Sequence, residues 1–177
     1  MMRQLLLLRH AKSSWDDPAL SDHSRPLNRR GRLAAQAMRR AMQGLGLAPQ
    51  LILVSTSRRT LQTMQELEPW TTVPVLTPQD GLYLADFSTI LAAIQAIPPE
   101  THSVLVIGHN PGLHELAFRL AGSPDTATDN TDARRIADGF PSGALAEFAL
   151  PGDWAADGAR LVRFICPRDL PEVADIP

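Results

Sequence analysis

The stretch Leu5-Leu6-Leu7-Leu8-Arg9-His10 sets four consecutive apolar residues against a cation and an imidazole. A run this short and this uniformly apolar suits a strand covered on both faces, as in a parallel sheet, with its polar end delivered to one sheet edge. Two further runs have the same character, Leu51–Val54 and Val104–Ile107, and a shorter one is Val73–Leu76. Helical periodicity fills the intervals. Asn28 is placed to cap a helix with Leu33, Ala37, Ala41 and Leu45 along one side, stopped by Gly44 and Gly46. Ser57–Glu68 carries Leu61, Met64 and Leu67 before Pro69, and Phe87, Ile90, Leu91, Ile94 and Ile97 precede Pro98-Pro99. Leu113, Leu116, Ala117 and Leu120 mark one more helix. Gly122–Gly143 reads as a long polar loop, and Ala144–Leu150 with Ala159–Ile165 as a hairpin. The alternation predicts one α/β domain over residues 1–177: an open three-layer α/β/α sandwich with a mostly parallel sheet and a C-terminal edge hairpin.

Composition narrows the function classes. Seventeen Lys and Arg against nineteen Asp and Glu leave a formal charge of −2, which argues against a general nucleic-acid binder. Four leucines are too few for the apolar segment of a signal peptide, and no stretch approaches a membrane span, so no membrane association and a cytoplasmic location are expected. The single cysteine, Cys166, has no internal disulfide partner. The five histidines lack Asp or Glu neighbours at ligand spacing, so neither a metal nor any other cofactor is expected.

In an open α/β sheet, sites form beyond the carboxyl ends of the parallel strands. Arg9-His10, Ser55-Thr56-Ser57-Arg58-Arg59 and Gly108-His109-Asn110-Pro111-Gly112 all fall there. A neutral imidazole can attack a phosphoryl group, which makes His10 the candidate nucleophile. Arg9, Arg25 and the Arg58/Arg59 pair can neutralise the equatorial phosphoryl oxygens. Pro111 stands where a helix begins, so free amides beside a protonated His109 would favour an anion. Each residue alone has an ordinary reading as a solvated loop or helix-face group; their convergence on one edge does not.

These motifs resemble those of the histidine phosphatase superfamily, branch one. Leu7-Leu8-Arg9-His10-Ala11 resembles the family's Arg-His-Gly, with alanine for glycine. Arg25-Pro26-Leu27-Asn28 with Gly31 resembles Arg-Pro-Leu-Thr and its following glycine, Ser55 to Thr63 matches Ser-x-x-x-Arg-x-x-x-Thr, and Val106–Gly112 resembles the second-histidine motif. Arg9-His10-Ala11-Lys12-Ser13-Ser14-Trp15 and the short chain look most like SixA-type phosphohistidine phosphatases.

The resemblance implies a metal-independent phosphatase with His10 as nucleophile, Arg9, Arg25 and Arg59 as phosphate clamps and His109 as electrostatic partner. Ser13 and Asn110 join Arg25 as candidate phosphate or substrate ligands, and the register from Ser55 puts the family arginine on Arg59 rather than Arg58. Asp80, in Asp80-Gly81-Leu82-Tyr83, is the nearest candidate general acid, with a simple turn as its other reading. Asp22 and His23 lie in the loop between Trp15 and Arg25, which reads first as a solvated loop and second as one that reaches substrate. The implied partner is a phosphate-bearing substrate, such as a phosphohistidine protein of the phosphotransfer-domain kind. Two alternatives remain open: a small-molecule phosphomonoesterase on the same scaffold, and a phosphate- or phosphoprotein-binding module without turnover.

Overall fold

The computed structural model describes residues 2–122, 131–155 and 157–174. In chain order the elements are β1 (Met2–Arg9), α1 (Arg29–Gly44), β2 (Leu51–Ser55), α2 (Arg58–Glu66), β3 (Val75–Gln79), α3 (Phe87–Gln95), β4 (Ser103–Gly108), α4 (Gly112–Ala121), α5 (Thr131–Asp138), β5 (Leu145–Pro151), β6 (Arg160–Ile165) and α6 (Pro171–Ala174). The sheet order is β3-β2-β4-β1-β5-β6. The first four strands run parallel, and β5 and β6 form an antiparallel hairpin added beside β1. The expected open α/β sheet and its edge hairpin are both present.

Strand alternation sorts the apolar runs onto two faces. Leu5, Leu7, Leu53, Val104 and Val106 pack under α3, α4 and α5 with Ile90, Ile94, Leu113, Leu116 and Ile136. Leu6, Leu8, Ile52, Val54, Leu105 and Ile107 pack on the other face with Met38, Met42 and Met64 of α1 and α2. Every position of Leu5–Leu8 is buried because β1 sits between β4 and β5 and is covered from both sides.

Several sequence expectations require correction. The 122–143 stretch is not one loop: α5 forms within it, burying Ala133 and Ile136, while residues 123–130 lie outside the described residues. The buried side of α1 is Ala34, Ala35, Ala37, Met38 and Met42; Leu45 is exposed, and the Leu33-Ala41-Leu45 side is not the core side. The third strand starts at Val75, two residues later than expected, because pairing begins with Val75 opposite Leu51. As an edge strand it leaves Val75 and Leu76 exposed, so its apolar pattern is weak.

Two glycines hold the site loops by absence of a side chain. A Cβ on Gly31 would stand 2.1 Å from the Lys12 carbonyl oxygen, so only glycine lets the start of α1 press on the loop after β1. Asn28 caps that start through its Oδ1, which accepts from the Gly31 amide at 2.8 Å. A Cβ on Gly112 would meet the Ala85 carbonyl oxygen at 2.0 Å, tying the start of α4 to the chain that enters α3.

Gly112→Ala is expected to lower stability by ~1–3 kcal/mol, the usual cost of overpacking. Gly44→Ala, where nothing lies within 4 Å of the added carbon, is expected to be neutral or to raise stability by up to ~1 kcal/mol. Thermal or urea unfolding of the two variants checks this, and equal effects would contradict the packing argument.

Candidate active site

The β1–β4 register pairs Arg9 with Gly108, and Val54 of β2 pairs with Ile107. Three adjacent parallel strands therefore end level, and the residues after them share one open cavity of about 420 Å³. His10 and His109 leave neighbouring strand ends, with ring centroids 5.1 Å apart.

Backbone bonds fix the loop that carries His10. Its amide donates to the Gly108 carbonyl at 3.1 Å, and the next amide, Ala11, donates to Thr63 Oγ1 at 3.0 Å. Thr63 donates in turn to the Arg59 carbonyl at 2.7 Å, coupling the loop to α2. The His10 Nδ1 lies 2.7 Å from the Ala11 carbonyl oxygen, which can only accept, so Nδ1 carries the proton and Nε2 presents its lone pair. Arg59 Nε donates to that Nε2 at 3.3 Å.

Arg59 is 3% exposed, although Arg58 beside it is exposed. Its Nη1 donates to the Asp22 carbonyl at 2.6 Å, and its Nη2 donates to Asp22 Oδ2 at 3.0 Å and faces His109 Nδ1 at 3.4 Å. With Nδ1 as acceptor, the proton of His109 sits on Nε2, which donates to Ser55 Oγ at 2.8 Å. Arg25 Nη2 pairs with Asp22 Oδ1 at 2.5 Å, and Arg25 Nη1 donates to Ser13 Oγ at 3.3 Å. Arg9 and Asn110 converge on one acceptor, the Phe140 carbonyl, at 3.0 and 2.9 Å. The Nε atoms of Arg9 and Arg25 are buried and make no hydrogen bond among the described residues. Paired donors of this kind are suited to an anion.

The structure thus brings His10, Arg9, Arg59, His109, Arg25, Ser13 and Asn110 to one cavity. It does not bring Asp80 there. Asp80 opens a turn after β3 and accepts from the Thr56 hydroxyl at 2.7 Å, outside the cavity lining. The carboxylate in the lining is Asp22, which the sequence pattern marked only as a loop residue; Tyr83 donates to its Oδ2 at 2.5 Å. An acidic residue three positions before Arg25 of the Arg25-Pro26-Leu27-Asn28 motif was the available signal. The expected free amides at the start of α4 are also fewer, because the Leu113 amide already donates to the His109 carbonyl at 3.0 Å. Among the described residues no cluster of three or more His, Cys, Asp or Glu is arranged to hold a metal. No helix among them is long and apolar enough to cross a membrane.

Electrostatics follow from burial among cations. Desolvation, opposed by the Ala11 hydrogen bond and reinforced by Arg59, pushes His10 down to about 4. Desolvation, with His10 and Arg59 adding to it, pushes His109 down to about 3. Burial among cations thus favours neutral rings near pH 7, against the protonated His109 expected from the sequence. The hydrogen bond from Tyr83, followed by those from Arg25 and Arg59, holds Asp22 well below the ordinary carboxylate range.

A family model described as histidine phosphatase superfamily (branch 1) matches residues 5–82. The chain is 30% identical to the SixA protein of Agrobacterium tumefaciens, with a TM-score of 0.79 and coverage of 93% of this chain and 98% of that one. It belongs to the histidine phosphatase superfamily. A SixA protein from Nakamurella multipartitia superposes with a TM-score of 0.81 at 29% identity over 94% of this chain and 97% of that one. A protein histidine phosphatase SixA complexed with tungstate gives 0.75 at 25% identity, covering 94% and 98%. The protein is accordingly a phosphatase of this superfamily, SixA-like in fold and length.

A buried histidine that stays neutral in the fold costs nothing above its unfolded pKa of ~6.5, and its desolvation is felt as acid forces a proton onto it. The unfolded chain binds more protons between pH ~6.5 and the depressed folded values, so stability falls as pH falls through that window. At ~1.4 kcal/mol per unit, with His10 lowered to about 4, the loss is on the order of 3 kcal/mol for this residue alone. His10→Asn, which retains a donor for the Ala11 carbonyl but cannot titrate, is expected to show a smaller fall in Tm between pH 7 and 4.5 than the wild type. Parallel Tm–pH curves for the two proteins would contradict the assignment.

Proposed function

We propose that this phosphatase hydrolyses phosphohistidine on a protein, using His10 as nucleophile, Arg9, Arg25 and Arg59 as phosphoryl clamps, and no metal. The fixed tautomer of His10 supplies a lone pair on Nε2, and its neutrality at pH 7 keeps that pair available. As a phosphoryl group enters, its oxygens take the Arg59 Nε contact and the unpaired Nε donors of Arg9 and Arg25. Nε2 attacks phosphorus, the bond from phosphorus to the substrate imidazole breaks, and that nitrogen keeps the electron pair. A substrate ring protonated on its other nitrogen leaves as neutral imidazole. Water then attacks the phosphoryl on His10, the P–Nε2 bond breaks with its electron pair returning to Nε2, and inorganic phosphate carries away both of the water's protons.

The observation that carries the substrate class is the state of the carboxylates. Asp22 is held ionised by Tyr83, Arg25 and Arg59, so it cannot donate a proton, and Asp80 does not line the cavity. An alkyl ester needs its leaving oxygen protonated, help worth ~10²–10⁴-fold from a general acid. A protonated phosphohistidine does not. The SixA protein solved with tungstate supports an oxyanion ligand by likeness.

A turnover panel of a histidine-phosphorylated protein, phosphoramidate and an alkyl phosphate, run with and without chelator, tests this. The P–N substrates are expected to exceed the ester, with no chelator effect and with inhibition by tungstate. His10→Ala should abolish turnover and the acid-labile phosphoenzyme. Arg59→Ala should cost ~10²–10³-fold in kcat, as loss of a preorganised donor does, and Arg58→Ala less than twofold. Asp80→Asn should leave both substrate classes within twofold. Faster turnover of the ester would overturn the phosphohistidine reading in favour of a small-molecule phosphatase.

A further inference from the structure

Trp15, at the end of the Lys12-Ser13-Ser14-Trp15 tail of the first motif, has no part in the proposed phosphoryl chemistry, yet it reaches the cavity wall. Trp15 is 76% exposed, and the Arg25 guanidinium lies over its ring with 3.4 Å from Cζ to the centroid. A second apolar side chain, Leu84, lines the same cavity at 52% exposure. Exposed large apolar groups scattered singly over a surface carry no message; two on the rim of one charged cavity do.

Leu84 is also the one described non-glycine residue with positive φ, at +49°. That conformation is disfavoured for a bulky side chain and persists only where the surroundings impose it. Here they do. Tyr83 is tied to Asp22 on one side, and Ala85 is pressed by the start of α4 at Gly112 on the other. The fold thus spends backbone strain on a leucine that faces solvent at the mouth of the site. Nothing in the core gains from it.

We propose that Trp15 and Leu84 are specificity-determining residues: an apolar rim that contacts the protein surface around the phosphohistidine and selects a protein substrate over free phosphoramidate. This rests on the proposed phosphohistidine activity. Charge complementarity defines the occupant. The lining holds Arg9, Lys12, Arg25 and Arg59 against Asp22 alone, so the partner inserts a dianionic phosphoryl group, and Trp15 and Leu84 meet apolar side chains flanking it. Tryptophan with its plane already held by a cation loses little freedom on contact, which suits an interface anchor. A free phosphoramidate reaches the arginines without touching this rim.

The test compares kcat and KM of wild type, Trp15→Ala, Trp15→Phe and Leu84→Asn on a protein phosphorylated at histidine with phosphoramidate and on phosphoramidate itself. Asparagine accepts a positive φ, so Leu84→Asn removes the apolar group and keeps the turn. On the phosphoprotein, Leu84→Asn and Trp15→Ala are expected to raise KM about tenfold, and Trp15→Phe to restore most of it. On phosphoramidate, Leu84→Asn should stay within twofold of wild type. Trp15→Ala losing equally on both substrates while Leu84→Asn loses on neither would overturn the rim and leave Trp15 as a support for Arg25. Wild-type turnover of the phosphoprotein with every variant unchanged would also overturn the rim while sparing the activity. A wild type that cleaves phosphoramidate but not the phosphoprotein would overturn the protein-substrate reading on which the rim depends.

Discussion

The site depends on one buried guanidinium. Arg59 sits on the first turn of α2 with 3% of its surface exposed, and its nitrogens contact His10, His109 and both the carbonyl and the carboxylate of Asp22. A cation taken out of water costs several kcal/mol unless it is paired and its donors are used. That requirement explains the company it keeps. Asp22 must be ionised beside it, and the two imidazoles must be neutral, because a second or third positive charge in the same desolvated space would be prohibitive. Burial of the two rings and the Tyr83 hydrogen bond to Asp22 come first in setting these three states, and the buried arginine adds to each in the same direction.

The fold places that arginine by simple means. Parallel strands of matched register end level, so the turns after β1, β2 and β4 open side by side. The links between these turns are backbone or short polar contacts: Thr63 between Arg59 and Ala11, Ser55 beneath His109, Gly31 against Lys12. Thr63 and Gly31 hold peptides and Ser55 holds the His109 ring directly, so the functional groups inherit the rigidity of the sheet.

What was legible in the sequence followed from uniformity. Leu5–Leu8, Leu51–Val54 and Val104–Ile107 read as buried strands because both faces of each are covered, and the residues after them read as site residues because parallel sheets expose that edge. Spacing distinguished Arg59 from Arg58, and burial agrees with it. Other features depend on tertiary orientation that no local pattern encodes. α5 buries only Ala133 and Ile136 in eight residues, too few to show a face. Asp80 was reached by chain order after the third strand, but its side chain turns to Thr56. Asp22 gains its role from Arg25, Arg59 and Tyr83, of which only Arg25 is near in sequence.

Asp22 also explains how a site of this charge stays assembled. Arg25 and Arg59 would repel across the cavity if nothing lay between them, and no water shell screens a group as buried as Arg59. One carboxylate bridging both holds them side by side at the cavity. A single negative charge does not cancel them, however, since Arg9 and Lys12 add to the positive side of the same lining. The residual positive charge, with both histidines neutral, favours a dianion over a monoanion. Because the Asp22 carboxylate reaches Nη2 of each arginine, Nε of Arg25 stays unpaired among the described residues and Nε of Arg59 points at His10. The same carboxylate, kept ionised first by the Tyr83 hydrogen bond and then by that pairing, is no proton donor. On the proposed reading, charge recognition and leaving-group preference therefore have one structural origin.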